Sequence, residues 1–389
     1  MLCSSVLLAS GCPGFDPDAT TGDVTADGGP ADDGQGSGAA GSDLDESGGP
    51  PSSDDAGSDG DPDDGDPDDT GSDPSALGDD VFFFVRGIAD GDALWAYDLA
   101  TDHAHEVTPL GGNSEIRSIA IHPDRNVVAI ASDYGAVDHQ DSESIHAFEV
   151  NESLVFGEPE LLMPAIPKPI GVATGYKQQI DELRWHPDGA WLWFGHSVQE
   201  DFSMPGGGTL AGVDPGTGAL EFYVDSIGDC LVNTGPSPSP DGSVLLAIRS
   251  VCIEGANEGV VGFDVPPAGE PQMIVPRPEA IFTAPRWLPD GAGIVYAARI
   301  DYDSDGDGVF DVYGDAIVLL DVATGDQYAM LPPTPEVYIW DFTLSPTGDR
   351  VVACVFQDDA QDLLLLDFSV DPPASRWLTD DGSSCKPSW

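Results

Sequence analysis

The residues best suited to chemistry sit in one short run, Asp301-Tyr302-Asp303-Ser304-Asp305-Gly306-Asp307-Gly308-Val309-Phe310-Asp311. Acids at alternate positions can turn their oxygens inward. Gly306 permits a sharp bend, and a later Asp closes the shell around a hard cation. A solvated loop in an acid-rich chain is the other reading. Calcium, held structurally rather than for catalysis, is the one adopted.

Catalytic constellations are sparse. Gly195-His196-Ser197-Val198-Gln199 is not a nucleophile elbow, because Gln199 stands where the final Gly is needed. His-Glu-x-x-His and glycine-rich phosphate loops are absent. Of the seven histidines only His103 and His105 have close spacing, and they read as a solvated strand start. His122 and His186 each precede a turn proline, which points to a structural role. The expectation is a chain that is not an enzyme.

These residues must be positioned by a repeat. A Pro-(Asp/Thr)-(Gly/Arg) turn recurs at Pro123, Pro187, Pro240, Pro289 and Pro346, spaced 64, 53, 49 and 57 residues apart. Pro fixes φ, Asp bonds back to its own backbone and Gly accepts positive φ, so each joins two apolar runs as a hairpin. In phase with it, apolar runs end in an acid at Asp98, Glu149, Asp214, Asp264, Asp321 and Asp367. Four short strands per repeat without helical periodicity describe a propeller blade, here named a to d from the axis outward. The run Val81-Phe82-Phe83-Phe84-Val85-Arg86 looks like a strand b lacking its strand a. Trp389 ends the chain where a turn would begin, since Trp185 and Trp287 lie two residues before their turn prolines. The prediction is an all-β, six-bladed β-propeller over residues 81–389, closed by pairing of the C-terminal strand with the first blade. The acidic loop then inserts between strands b and c of its blade.

Charge narrows the partners. The chain holds 70 acidic residues against 13 Lys and Arg, a net charge of −57. Nothing so acidic displaces counterions from a phosphate backbone, so no nucleic-acid partner is expected. Residues 13–80 are Asp, Gly, Ser and Pro with too little apolar surface to order, and are expected to form a disordered linker. Residues 1–12 read as a signal peptide. The small residues before Cys12 resemble a bacterial lipobox, which implies lipidation of Cys12 and an extracytoplasmic protein at the outer membrane or cell surface, touching the membrane only through that anchor.

Cys230 and Cys252 are equidistant from Asp241, the centre of a Pro-Asp-Gly turn, so they face one another across a hairpin and should form a disulfide. Cys354 and Cys385 are left as either a second pair or buried thiols. The scarce bases gather on one face. Lys168 and Lys177 fall in a d–a connection, and Arg86, Arg249 and Arg299 close strand b in three blades. With the long b–c and d–a loops beside them, they form a candidate site for an anionic ligand or an acidic partner segment; the alternative is pairing with neighbouring Asp.

Two resemblances add to this. Leu94-Trp95-Ala96-Tyr97-Asp98-Leu99-Ala100-Thr101, then Val107-Thr108, and the Trp-x-Pro-Asp-Gly turns are similar to TolB-type six-bladed propellers, across residues 81–389. The resemblance implies an interaction platform. The acidic run resembles Asp-x-Asp-x-Asp-Gly calcium repeats of the EF-hand-like and thrombospondin types. Carried over from Asp303, that pattern implies Asp303, Asp305, Asp307 and Asp311 as ligands with the Val309 carbonyl; the twelfth position is Gly314, next to Asp315. The expected function is therefore a lipid-anchored, monomeric propeller that binds an envelope or extracellular protein without catalysis. A calcium-dependent, lactonase-like propeller hydrolase and a polysaccharide-binding module acting through Tyr176 and Phe202 are the alternatives.

Overall fold

A computed structural model of the chain describes residues 76–88, 91–107, 114–134, 142–165, 177–199, 208–223, 231–251, 256–266, 271–276, 282–302 and 312–389. Within residues 73–389, twenty-four strands form six four-stranded antiparallel sheets, and no helix occurs among the described residues. The protein is a six-bladed β-propeller. Blade 1 runs Ser384–Ser388, Val81–Ile88, Gly91–Asp98, His103–Glu106 from axis to rim. The C-terminal strand thus supplies strand a to the first blade, with Phe83 opposite Ser388 and Val85 opposite Cys385. Blades 2 to 6 follow in chain order, with innermost strands Ile116–Ile121, Lys177–Trp185, Leu231–Pro238, Phe282–Trp287 and Tyr338–Leu344. Each innermost strand packs on the next, and Ser384–Ser388 touches both blade 6 and blade 2, so no edge is left at the seam.

The turns form for the reasons their residues suggest. The carboxylates of Asp188, Asp241 and Asp290 accept from the amides of Ala190, Ser243 and Ala292, at 2.8, 3.0 and 2.9 Å. Acids ending strand c cap the turn to strand d, as Asp98 does for Ala100 and Asp214 for Gly216. His186 lies against the turn of the next blade. A Cβ on Gly242 would stand 2.2 Å from its Nε2, and Gly242 also has φ of +71°, so only Gly fits.

Packing is between blades. In strand Val81–Ile88, Phe82 and Phe84 pack with Val352 and Leu363 of blade 6, while Phe83 and Val85 pack with Ile119 and Ile130 of blade 2. Both faces are buried, so the strand reads as an unbroken apolar run. Each Phe contributes about 1.5–3 kcal/mol by leaving water. A carboxylate at the start of strand c reaches the next blade's strand a in three places. The Ile116 amide donates to Asp92 at 2.9 Å, that of Ile180 to Glu143, and that of Ile339 to Asp315 at 2.8 Å.

The packed unit reaches back to Leu77, which is buried between blades 1 and 2. Arg125 holds this entry segment, donating to the carbonyls of Leu77, Gly78 and Val81 at 3.1, 2.9 and 2.6 Å. Cys354 and Cys385, left open by the sequence, form a disulfide from blade 6 to the closing strand. The register of blade 4 places Leu231 opposite Val251. Cys230 and Cys252, one residue further on each side, lie outside the described residues.

Candidate ligand site in the central channel

Every innermost strand is interrupted at the same level. Its pairing with strand b shifts register at 116/118, 181/184, 234/237, 283/286 and 339/341, and again in the closing strand between Cys385 and Ser388. In chain terms the residues skipped at these shifts fall four to six before the turn proline, with Trp389 standing two before the missing one. A bulge adds one residue and re-aims the side chains around it. The position five before the turn carries Glu182, Gly235 and Lys386 at φ of +54°, +68° and +53°. Glu and Lys in that region are strained, which marks sites held by their surroundings.

The bulges gather charge from distant segments. Arg286 in blade 5 donates through Nη2 to Asp341 Oδ1 of blade 6 at 3.1 Å, and through Nη1 to its neighbour's carbonyl at Pro285 at 2.9 Å. Glu182 Oε2 of blade 3 lies 3.8 Å from Arg286 Nη1, and Arg184 Nη2 lies 3.9 Å from Asp341 Oδ1. Side-chain exposure is 7% for Arg286, 16% for Arg184, 22% for Asp341 and 27% for Glu182. Burial pushes the Glu182 carboxyl up to about 7, with Arg286 opposing and Asp341 and Asp181 reinforcing. Burial likewise raises Asp341 against the pull of Arg286. The Nε of Arg286, Nη2 of Arg184 and Oε2 of Glu182 are out of solvent and make no hydrogen bond.

These arginines line a cavity of about 300 Å³. Its other walls are Ile121, Trp287, Leu344, Trp389 and the turn residues His122, Pro123, Arg125, Pro289, Ser345 and Pro346, so it opens among the a–b turns. Ser237 and Thr343 add hydroxyls whose oxygens accept from the Trp287 and Trp389 amides, at 3.2 and 3.1 Å. Arg184, Ser237, Arg286 and Thr343 all stand three residues before a turn proline, and Ser388 three before its missing counterpart.

A second polar cluster lies further along the channel, toward the b–c loops. Arg117 bridges Glu143 and Glu115 at 2.8 and 3.0 Å. Burial raises Glu143 to about 7, against the Ile180 amide and Arg117. Lys386 donates to the Ile116 carbonyl, and burial lowers its ammonium despite the nearby Asp92.

The expected rim bases are placed as follows. Arg86 pairs with Asp381 at 2.7 Å and lies 4.0 Å from the Trp95 ring centre. Arg299 pairs with Asp315 at 2.9 Å and lies over Tyr313 and Tyr338. Arg249 sits on strand b of blade 4 opposite Gly259, and Lys177 begins strand a of blade 3. The acidic run is flanked by strands b and c of blade 5, Gly293–Tyr302 and Val312–Asp321, in the insertion position. Asp303, Asp305, Asp307, Val309 and Asp311 themselves lie outside the described residues, as do Cys12, Lys168, Tyr176 and Phe202. His103 and His105 meet edge to face at 4.6 Å on the rim strand of blade 1.

The channel quartet was missed by sequence reasoning. Its signal was available: Arg184 and Arg286 share one offset from their turn prolines, and Glu182 and Asp341 share another.

Comparison with known proteins yields fold alone. No family model matches the chain, and no curated protein matches it by sequence. The propeller is similar to a chain of the nidogen/laminin complex, with a TM-score of 0.53 and 11% identity over 79% of this chain and 97% of that one. It is similar to the puromycin hydrolase S511A mutant, with a TM-score of 0.50 and 16% identity over 79% of this chain and 53% of that one. For oligogalacturonate lyase from Vibrio parahaemolyticus the values are 0.48 and 15%, over 79% of each chain. Against the tricorn protease this chain spans only 30% of the other's length. The fold is shared with the nidogen/laminin and puromycin hydrolase chains.

Proposed function

We propose that the chain is an exported, lipid-anchored propeller that serves as a non-catalytic binding platform. The observation that carries this reading is the channel cavity, lined by the buried Arg286 and the half-buried Arg184, each of which keeps a guanidinium nitrogen without a hydrogen bond. Rigid scaffolds with a few convergent polar groups in an apolar cavity are how proteins recognise ligands. In a chain of net charge −57, such arginines also mark the place where an anion is tolerated. The hydroxyls there accept backbone amides of the neighbouring blade, which suits holding rather than attacking. Export is supported by the Cys354–Cys385 disulfide, since such bonds persist in oxidising compartments. Lipidation of Cys12, the spacer and calcium in the blade 5 insertion complete the proposal.

The test is crosslinking capture of neighbours on intact cells, with and without chelator. A specific envelope or extracellular partner is the expected result. An unattached protein that turns over a panel of lactones would overturn the reading in favour of a hydrolase.

A further inference from the structure

The channel cavity contains two kinds of wall. Toward the mouth are Trp287, Trp389, Leu344 and turn prolines, which offer flat apolar surface, with the polar turn residues His122, Arg125 and Ser345 among them. Deeper in are Arg184 and Arg286, each already anchored to a carbonyl, of Leu183 and Pro285 respectively. Anchoring fixes the guanidinium planes, yet Nη2 of Arg184 and Nε of Arg286 remain without a hydrogen bond at buried positions. An orphaned buried donor on a charged group is costly, and a ligand acceptor would relieve it. The protons of the Ser237 and Thr343 hydroxyls remain for donation, because their oxygens are the acceptors in the contacts they make.

Arg125, His122 and Ser345 also line the cavity, but they are engaged with the entry-segment carbonyls, the Asp124 amide and the Asp349 carboxylate, which leaves Arg184, Arg286, Ser237 and Thr343 as donors. With apolar walls and a volume near the lower end of ligand pockets, they define one chemistry. We propose that this cavity binds the terminal carboxylate of an amphipathic ligand, held by Arg184 and Arg286 with its apolar body against Trp287 and Trp389. The inference rests on the binding-platform reading and names the ligand class for it. A planar carboxylate matches the fork of donors on guanidinium, which a single point charge does not. Gly235 belongs to the same design. A Cβ there would stand 2.7 Å from Glu182 Oε2, so the bare backbone lets Glu182 lie beside Arg286.

Glu182 makes the site sensitive to pH. The groups facing it are Arg286, Asp341 and Asp181, with Gly235 as an uncharged neighbour; His122 and Arg125 line the same cavity, so the Glu182→Gln variant separates the carboxyl from the imidazole. Its carboxyl titrates near 7, so below that pH the arginines face one carboxylate, Asp341, instead of two. A bound anion favours neutral Glu182, so binding takes up a proton and weakens as pH rises through 7.

The experiment is calorimetric titration of the full chain with 3-phenylpropionate and its amide, and with the tripeptide Ala-Ala-Phe bearing a free or amidated C-terminus. The expected result is that acids bind at least about tenfold tighter than amides, as a charge-assisted hydrogen bond implies. Binding should be tighter at pH 6 than at pH 8, and Glu182→Gln should remove most of that difference. Arg184→Gln, which leaves the Arg286–Asp341 pair in place, should abolish the preference for acids, and Thr343→Val should weaken binding. A stronger peptide than phenylpropionate identifies a chain terminus as the source; the reverse order identifies a small organic acid. Equal affinity for acid and amide, no binding at millimolar acid, or an unchanged acid preference in folded Arg184→Gln would overturn the proposal. If partner capture succeeds while acids and amides bind alike, the carboxylate site fails and the platform stands.

Discussion

Cys385, on the strand that completes blade 1, is bonded to Cys354, on strand b of blade 6. The covalent link therefore crosses the seam at which the ring closes, where the last strand would otherwise be free to fray. Both cysteines are buried, against Phe82, Phe84, Tyr97 and Leu363.

Removing this link should be felt globally. The cysteines are 31 residues apart, and a disulfide closing such a loop stabilises by about 2–4 kcal/mol. Cys354→Ala with Cys385→Ala should lower Tm by several degrees and raise amide exchange first in Ser384–Ser388. Unchanged exchange there would mean that the seam is held by packing alone.

The channel carboxyl sets a pH slope. Glu182 titrates at about 7 in the fold against an ordinary 4.5, so the folded chain holds a proton that the unfolded chain has lost. Its contribution is fully present below 4.5 and is lost as pH rises to 7, at up to about 1.4 kcal/mol per pH unit. Glu182→Gln stays neutral throughout, so its urea unfolding free energy should fall less than that of the parent between pH 5 and 8. Parallel curves for the two proteins would refute the assignment.

Arg125 ties the entry segment to blade 2 through three carbonyls. Arg125→Ala should cost about 1–3 kcal/mol, since one buried and two part-buried carbonyls lose a charged donor, and should speed proteolysis near Leu77. Arg125→Lys should rescue little, because one ammonium cannot reproduce the fork. Equal proteolysis of the parent and both variants would remove the clasp from the account.

The calcium proposed for the blade 5 insertion predicts a chelator effect. Addition of chelator should lower Tm of the parent, and Asp305→Ala with Asp307→Ala should lower it to the same value and abolish the response. A parent indifferent to chelator would leave a solvated acidic loop.

The site and the fold differ in how far the residues alone reveal them. The hairpins are local: Pro187-Asp188-Gly189 contains its own turn chemistry, and Asp98 caps the turn that immediately follows it. Recurrence of such local units gave six blades, and the unmatched Val81–Arg86 and Trp389 gave the closure. The pairing of Arg86 and Arg299 with Asp381 and Asp315 was open in the residues, because a charge does not announce which neighbour neutralises it.

From the sequence by itself came the repeat, the count of blades, the seam between the two ends of the propeller and the insertion point of the acidic run. Each depends on short-range backbone preference or on register within one hairpin. Only the tertiary structure decided that Glu182, Arg184, Arg286 and Asp341 meet, and that Cys354 reaches Cys385. Arg286 and Asp341 are 55 residues apart and sit on neighbouring blades, so their contact exists only once blade 6 has packed on blade 5. The bulges also re-aim side chains by one position, a shift that the alternation of apolar and polar residues does not record.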